Sequence, residues 1–586
     1  MLFRSIPMSF FAGSIGVIYR QFSITLVAAM VLSLVVALVL TPALCALILK
    51  PNHQPKSWAI RFNNGIDTLK NKYLSLVQTM LRYKISVSVI FIALIAVFAL
   101  FYSSLQSSFL PKEDQGILSV QFKLVDSAPL SKSQEVGEAI RQYFLQNEKA
   151  NVNLVLIRYG RNNSGTGQNL GQGFVSLNHW DNRTGKKNSA EAIRKRALKY
   201  FSQFPDAQIN VTLPASVNGL GATDGMDLWI QDINGQGEQF LDQSFKQLQQ
   251  LGQKYSSFEN LDKQSTDSKA TLNVKIDHKQ AMANGLNLNE INSTLSTAWG
   301  GTYVNDFIDR GRIKQVILQG DAPFRSKPED LYSWSVRNNQ NQMVPFSSFS
   351  TTSWGGTPSI VQRYMGYSAL QLQANVVNGQ SSGQAMKDIE QLVGQQEGLG
   401  LLWTGLSYQE QQSTNQAIWL YLISIAFIFL CLAALYESLR IPMAVMTAIP
   451  LGIGGSIIFA HIFALPNDVY FQIALLTTIG LSCKNAILIV EFAAMAQAQG
   501  KNAIQAALQG AGLRLRPILM TSFAFGAGVI PLVFAFGAGA VSRQEIGISV
   551  LGGVIFGTIL VLIFIPFMFV LVASMFQPKH KLETTE

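Results

Sequence analysis

Long apolar stretches crowd both ends of this 586-residue chain, and the region between them, 106–413, is polar. Seven stretches reach the roughly 20 residues that a helix needs to cross a bilayer. They are 22–48, 85–105, 416–436, 441–465, 469–492, 517–538 and 546–575. Residues 1–18 are also apolar, but carry Arg4 and are broken by Pro7, Gly13 and Gly16. No small-residue cleavage site with a polar start follows them, as a signal peptide would require. They are expected to be the end of a membrane helix whose beginning is missing.

Lysine and arginine in the short loops set the orientation. The connection 50–84 carries Lys50, Lys56, Arg61, Lys70, Lys72, Arg82 and Lys84 and is expected to be cytoplasmic. Alternation then puts 106–413 outside the cytoplasm. It puts Arg440 inside, then Lys501, Arg514 and Arg516, and finally a tail with Lys579 and Lys581. Within 57–84, Trp58, Phe62, Ile66, Leu69, Tyr73, Leu76 or Val77, and Met80 recur at helical spacing. That predicts an amphipathic helix, lying on the cytoplasmic membrane surface or packed on the bundle.

The polar region predicts α+β units. A strand at 117–125 precedes a helix at 131–147, opened by the capping pattern Ser131-x-x-Gln134. Strands at 152–158 and 173–178, a helix at 189–204 and a strand at 207–213 complete the order βαββαβ. This is the ferredoxin-like, split βαβ order. A second copy runs strand 226–232, helix 237–255, strand 271–276, strand 369–376, helix 382–393 and strand 401–404. The stretch 286–360, rich in Gly, Asn, Ser and Thr, reads as an inserted docking or hairpin subdomain.

The expected fold class is therefore a membrane α-helical bundle plus an α+β domain of ferredoxin-like βαβ units with an inserted docking subdomain. By residues, 1–50 hold the end of one membrane helix and a full one, 51–84 the amphipathic helix and 85–105 a membrane helix. The first α+β unit is 106–215, the second is 216–285 with 361–413, and the insert is 286–360. Five membrane helices fill 414–576, before a cytoplasmic tail at 577–586.

Composition agrees. Charged residues make up 14% and hydrophobic residues 48%, against about 25% charged in a soluble chain. The net charge of +10 reads as positive-inside bias rather than nucleic-acid binding, because no basic cluster is interleaved with aromatics. Cys45, Cys431 and Cys483 all lie in apolar stretches, so disulfides do not brace the polar region and no metal-ligand spacing exists. No nucleophile–base–acid set stands out, and neither enzyme activity nor a cofactor is expected.

Lys484 is the most informative residue. It lies near the middle of the span 469–492, where a lysine costs about 2.5–3.5 kcal/mol on insertion scales and normally faces an interior partner or water. Snorkelling to an interface becomes harder as a lysine nears mid-membrane. The spans 22–48, 85–105, 441–465 and 517–538 contain no Asp or Glu, and Glu437 and Glu545 sit at segment ends. Glu491 shares a face with Lys484 but lies two turns, about 10 Å, away. The partner of Lys484 is expected on a helix outside this chain. Near the start of 517–538, Arg516 reads as a positive-inside anchor, and Arg514 either anchors likewise or reaches a buried site. Thr521 either donates a hydrogen bond or back-bonds to its own helix. Gly452, Gly454 and Gly455, Gly526 and Gly528, and Gly553-x-x-x-Gly557 are small-residue spacings that allow close helix packing.

The stretch Leu476-Thr-Thr-Ile-Gly-Leu-Ser-Cys-Lys-Asn-Ala-Ile-Leu-Ile-Val-Glu-Phe492 resembles the tenth transmembrane helix of resistance-nodulation-division pumps of the hydrophobe/amphiphile efflux family. Leu432-Ala-Ala-Leu-Tyr-Glu-Ser438, Leu515-Arg-Pro-Ile-Leu-Met-Thr-Ser522, Trp403-Thr-Gly-Leu-Ser-Tyr-Gln-Glu410 and Ala298-Trp-Gly-Gly-Thr-Tyr-Val-Asn-Asp-Phe-Ile-Asp-Arg310 are similar to further family segments. Tyr19-Arg-Gln-Phe-Ser-Ile-Thr25 and Leu40-Thr-Pro-Ala-Leu-Cys45 match a helix of the family's first half. The resemblance covers nearly the whole chain in order.

It implies the inner-membrane component of a proton-driven, tripartite multidrug efflux pump of a Gram-negative cell. Such a pump is a homotrimer that works with a periplasmic adaptor and an outer-membrane channel on drug-like amphiphilic substrates. The α+β units would be periplasmic porter subdomains. This chain would be the C-terminal part, without the proton-binding aspartates that pair with the lysine at Lys484. Arg514 and Thr521 would join Lys484 in the proton relay. The family's substrate pocket uses a Phe-rich switch loop. Here the loop is Gly160-Arg-Asn-Asn-Ser-Gly-Thr-Gly167, with Arg161 and Asn163 where phenylalanines are usual and Leu156 at a third such position. Met226, Leu228 and Ile230 stand at the expected cleft entrance, where aromatics are frequent. A pocket more polar than usual is expected. The alternatives are a relative exporting lipid or another cargo, and a membrane-anchored periplasmic binding module.

Overall fold

The computed structural model describes residues 13–48, 57–126, 128–217, 225–264, 268–358, 360–377 and 380–575. The first part of the expected helix 1–18, Lys50, Lys56, and the tail with Lys579 and Lys581 lie outside the described residues. α1, Gly13–Val35, continues through a π-helical segment, Val36–Leu40, into α2, Thr41–Ile48. One unbroken helix thus replaces the expected break between 18 and 22, and Gly16 is a buried packing residue within it.

α3, Ser57–Arg82, leads into α4, Lys84–Ser103. Tyr73, Val77 and Leu81, spaced i, i+4 and i+8, bury one face of α3 against the bundle. The Tyr73 hydroxyl donates to the Leu562 carbonyl at 2.8 Å. Trp58, Phe62, Leu69 and Leu76 form a second apolar edge that stays exposed.

The first α/β unit comprises β1 (Ile117–Leu124), α5 (Leu130–Gln146), β2 (Val152–Asn162), β3 (Gly165–Leu177), α6 (Ala190–Phe201) and β4 (Ala207–Thr212). Its sheet is antiparallel in the order β2-β3-β1-β4. Leu118, Val120, Phe122 and Leu124 alternate inward beneath Ile140 and Phe144 of α5 and Ile193 and Phe201 of α6.

The second unit opens with β5 (Met226–Asp232), α7 (Glu238–Gly252) and β6 (Phe258–Lys263). Residues 265–361 then form a separate compact unit. In it β7 (Ser268–Ile276) precedes α8 (His278–Ala283), α9 (Leu288–Leu295), the hairpin β8–β9 (Thr302–Asp309, Arg312–Leu318), and β10–β11 (Ser335–Arg337, Met343–Pro345). β12 (Ser350–Pro358) returns to pair with β7, and Ala281, Ile291, Leu331, Phe346 and Phe349 make the core. Arg310 and Gly311, at φ 50° and 74°, close the β8–β9 hairpin, the two positive values that a type I′ turn requires. The chain resumes with β13 (Arg363–Tyr364), β14 (Tyr367–Val376), α10 (Ser382–Gly394) and β15 (Leu399–Thr404).

The second sheet runs β6-β14-β5-β15, with β13 at the far end of β14, so its first, second, third and fourth strands lie in the order of the first sheet. Two expectations change here. The strand at 271–276 belongs to β7 and pairs inside the inserted unit, which starts near 265 rather than 286. The second strand of the repeat is Phe258–Lys263. Its apolar residues, Phe258 and Leu261, are an odd number apart and break period-2 alternation. A bulge opposite Ala374 and Asn375 turns both into the core.

The remaining helices are α11 (Gly405–Tyr436), α12 (Arg440–Met446), α13 (Ala448–Ile462), α14 (Val469–Ala498), α15 (Ala503–Val533) and α16 (Ala540–Met575). Among the described residues six helical stretches are long and apolar enough to cross a membrane, and Tyr421–Tyr436 is a shorter apolar stretch within α11. α15 begins well before the expected 517, because the Asn502 side chain caps it by accepting from Gln505 N at 2.8 Å. Arg514 and Arg516 therefore lie inside the helix. Glycines let α13 and α16 touch: a Cβ on Gly455 would fall 2.6 Å from the Gly552 carbonyl, and one on Gly452 would fall 1.9 Å from Ser482 Oγ of α14.

Two adjacent carboxylates join the first α/β unit to the bundle. Glu113 accepts from Ser542 N (2.8 Å), Val541 N (3.3 Å) and the Ser542 hydroxyl at the start of α16. Asp114 accepts from Arg183 Nη1 and Nη2, both at 2.6 Å, and from Ala190 N at 2.8 Å, at the start of α6.

Candidate functional site

α14 runs buried through most of its length but turns Lys484 outward, exposed, onto a cavity of about 280 Å³ between α14, α15 and α16. Ser482, Lys484, Asn485, Thr521, Ser522 and Thr558 supply its polar lining. Ser522 Oγ and Thr558 Oγ1 are 2.8 Å apart, and Asn485 Nδ2 donates to them at 3.5 and 3.4 Å. Thr521 Oγ1 donates to the Ile518 carbonyl at 3.0 Å, so it back-bonds to its own helix. Lys484 has no ion pair among the described residues.

Lys484 and Thr521 thus line one cavity. Arg514 lies two turns from Thr521 along α15, about 10 Å away. Its guanidinium carbon stacks 3.6 Å over the Phe492 ring, and its buried Nε has no hydrogen-bond partner. It is neither a simple interfacial anchor nor part of the lysine cavity. Asn485 and Ser522 were visible only as letters within longer motifs, and Thr558 only as a polar residue in an apolar run. Nothing in the linear pattern shows that the three meet.

The expected switch loop is the tip of a long hairpin. β2 extends to Asn162, with Arg161 opposite Thr166, and Asn163 sits in the two-residue turn. Gln172 Nε2 donates to Asn163 Oδ1 at 3.4 Å, and Arg158 Nη2 donates to Gln172 Oε1 at 2.9 Å. Leu156 is exposed on the open face of the sheet beside Leu154, with Phe174 directly across on β3. Phe174 is an aromatic that the loop-centred reading missed.

Met226, Leu228 and Ile230 lie elsewhere. All three are buried in the core of the second unit with Leu241 and Leu248 of α7 and Met386 and Ile389 of α10. Strand alternation puts them on the helix-covered face, so Leu228 and Ile230 do not line an open cleft. Met226 alone also reaches a cavity, of about 410 Å³. The other face of β5 carries Asp227, Trp229 and Gln231. Trp229 stacks on Tyr364 with centroids 4.9 Å apart, and burial pushes the Asp227 carboxyl up to about 6. Glu410 lines the 410 Å³ cavity, where burial raises it to about 7 although Ser382 Oγ donates to it at 2.6 Å.

Among the described residues, helices long and apolar enough to cross a membrane thus surround a cavity lined by Lys484, beside two α/β units of one strand order. The chain belongs to the AcrB/AcrD/AcrF family, whose pattern matches residues 2–573. It is 44% identical over 585 residues to the multidrug export protein AcrF of Escherichia coli, covering 98% of this chain and 56% of that protein. It is 42% identical over 586 residues to the toluene efflux pump membrane transporter TtgB of Pseudomonas putida, covering 98% and 55%. The multidrug resistance protein MdtF of Escherichia coli is 42% identical over 579 residues, covering 97% and 56%. The chain spans little more than half the length of these curated relatives.

Proposed function

We propose that this chain is the inner-membrane, C-terminal part of a proton-driven multidrug efflux pump. One observation carries the reading: Lys484, in an apolar helix of a family whose relatives are multidrug exporters, lines a cavity with Asn485, Thr521, Ser522 and Thr558 and has no carboxylate partner among the described residues. A cation so placed is stabilised by a carboxylate beyond the described residues, and protonation of that carboxylate releases it. Lys484 is then the mobile charge of the relay. Thr521 shapes its cavity, and Arg514 acts two turns away.

The two α/β units are read as ferredoxin-like porter subdomains, supported by their shared strand order. Residues 265–361 are read as the docking subdomain of a homotrimer that meets an adaptor and an outer-membrane channel. Drug-like amphiphiles contact the open face of the first sheet, where Leu156 and Phe174 provide an apolar patch and Arg158, Gln172, Asn163 and Arg161 a polar surround. Leu228 and Ile230 hold the second unit rigid, and Met226 borders its cavity.

The test is dye accumulation in efflux-deficient Gram-negative cells that express this chain together with the complementary half of the AcrF sequence. Efflux that a protonophore abolishes, and that Lys484→Ala abolishes equally, is expected. Full efflux in Lys484→Ala would overturn the relay. Arg161→Phe is expected to shift preference towards more apolar dyes, and an unchanged dye profile would remove Arg161 from the pocket.

A further inference from the structure

The end of α14 opposite its cytoplasmic lysines and arginines carries carboxylates that the lysine relay does not use. Asp468, fully buried, caps α14 by accepting from Phe471 N at 2.7 Å through Oδ1. Glu545 of α16, also buried, lies within hydrogen-bonding reach of it. Asp468 Oδ2 and Glu545 Oε2 are each shielded from solvent and reached by no donor. Among the described residues neither carboxylate has an ion-pair partner.

Several groups surround the pair. On α16, Arg543 directs its guanidinium to the carbonyls of Phe536, Ala538 and Gly539. Glu113, a third carboxylate nearby, is occupied by the N–H groups at the start of α16. On α1, Tyr19 is also near Asp468, and its hydroxyl donates to Gln472 at 2.8 Å. Tyr470 of α14 is near both carboxylates, Tyr102 of α4 and Tyr421 of α11 adjoin Tyr19, and none of the three is a cation. Lys112 lines the 410 Å³ cavity that Glu545 also borders.

Two buried carboxylates in contact, without a cation, cannot both be ionised: the repulsion between them is relieved only by a proton held in between. Burial, the largest influence on Asp468, raises its carboxyl above the ordinary range. We propose that Asp468 and Glu545 share one proton and form a second proton-binding site of this protein, exchanging with solvent through the cavity bordered by Glu545 and Glu410. The pair joins α14, which carries Lys484, to α16, which carries Thr558. Loss of its proton would push apart the ends of the two helices that flank the lysine cavity.

The experiment is infrared spectroscopy of the purified full chain in lipid nanodiscs, reading the C=O stretch of protonated carboxyl groups at about pH 8.5, above the titration of Glu410. One band is expected in the unmodified protein. Glu545→Gln should abolish it, because the amide donates to Asp468 without a proton to share. Asp468→Asn keeps the helix-capping acceptor but changes the partner of any proton left on Glu545, so the band should move or vanish. Absence of a band in the unmodified protein, or an unaltered band in both variants, would overturn the proposal. The readout concerns the carboxyl groups themselves, so it succeeds or fails independently of any transport activity.

Discussion

The two α/β units share a strand order and differ in how they treat buried charge. In the first, burial works to raise the Asp114 carboxyl, but Arg183 and the N–H groups of Ala190 and Gly116 outweigh it and hold Asp114 below the ordinary carboxylate range. In the second, burial dominates: Asp227 is pushed up to about 6 and, where α11 leaves the unit, Glu410 to about 7. One topology thus supports a unit in which an ion pair outweighs the burial of Asp114 and another in which burial prevails at Asp227 and Glu410. The fold fixes where strands and helices go, while the local supply of donors decides which protonation state each unit prefers.

The largest expected effect falls on the brace. Arg183→Met leaves Asp114 half-buried without its partner and should destabilise the protein by about 3–5 kcal/mol, read as a fall in thermal midpoint in detergent. An unchanged midpoint would mean that the backbone donors alone suffice. Leu228→Ala should cost about 2–5 kcal/mol in the same assay, since it empties a fully buried position. A near-neutral result would return Leu228 to the cleft.

The pH responses of the two units should oppose each other. Asp227 and Glu410 bind protons more tightly folded than unfolded, so they destabilise progressively as pH rises from about 4 to about 7, with a slope approaching about 1.4 kcal/mol per unit for each group. Asp114 does the reverse: its contribution is complete above its unfolded value of 3.8 and is lost as pH falls below it. Glu410→Gln should reduce the fall of the thermal midpoint between pH 5 and 7, leaving the share of Asp227 below about pH 6, and an undiminished slope would exclude Glu410 as a source. The smallest effect belongs to the open sheet face. Leu156→Ala should change stability by no more than about 0.5 kcal/mol while altering dye affinity, so a large loss of stability would show that Leu156 is structural.

Much of this organisation is legible in the amino-acid sequence. Membrane helices announce themselves because a bilayer demands an uninterrupted apolar run, and Lys484 stands out because nothing in such a run explains it. The βαββαβ order of the first unit is equally visible, because its core strands alternate cleanly. Three features were hidden for physical reasons. Phe258–Lys263 is a strand whose bulge destroys the alternation that would advertise it. The burial of Leu228 and Ile230 is hidden because two-fold alternation shows that a strand has two faces but not which one the helices cover. The Asn485–Ser522–Thr558 cluster and the Asp468–Glu545 contact join residues from separate helices, and no local pattern encodes such meetings.

The neighbouring carboxylates Glu113 and Asp114 also have a mechanical meaning. One grips the first turn of α16 and the other grips the guanidinium that locks α6, with a single peptide bond between them. Consecutive Cα atoms are held about 3.8 Å apart by covalent geometry, so this yoke has almost no slack. A sliding or tilting of α16 is passed to the first sheet as a displacement rather than absorbed by a flexible tether. This transmission is two residues long, and lengthening it by a glycine between Glu113 and Asp114 should uncouple what the two grips hold.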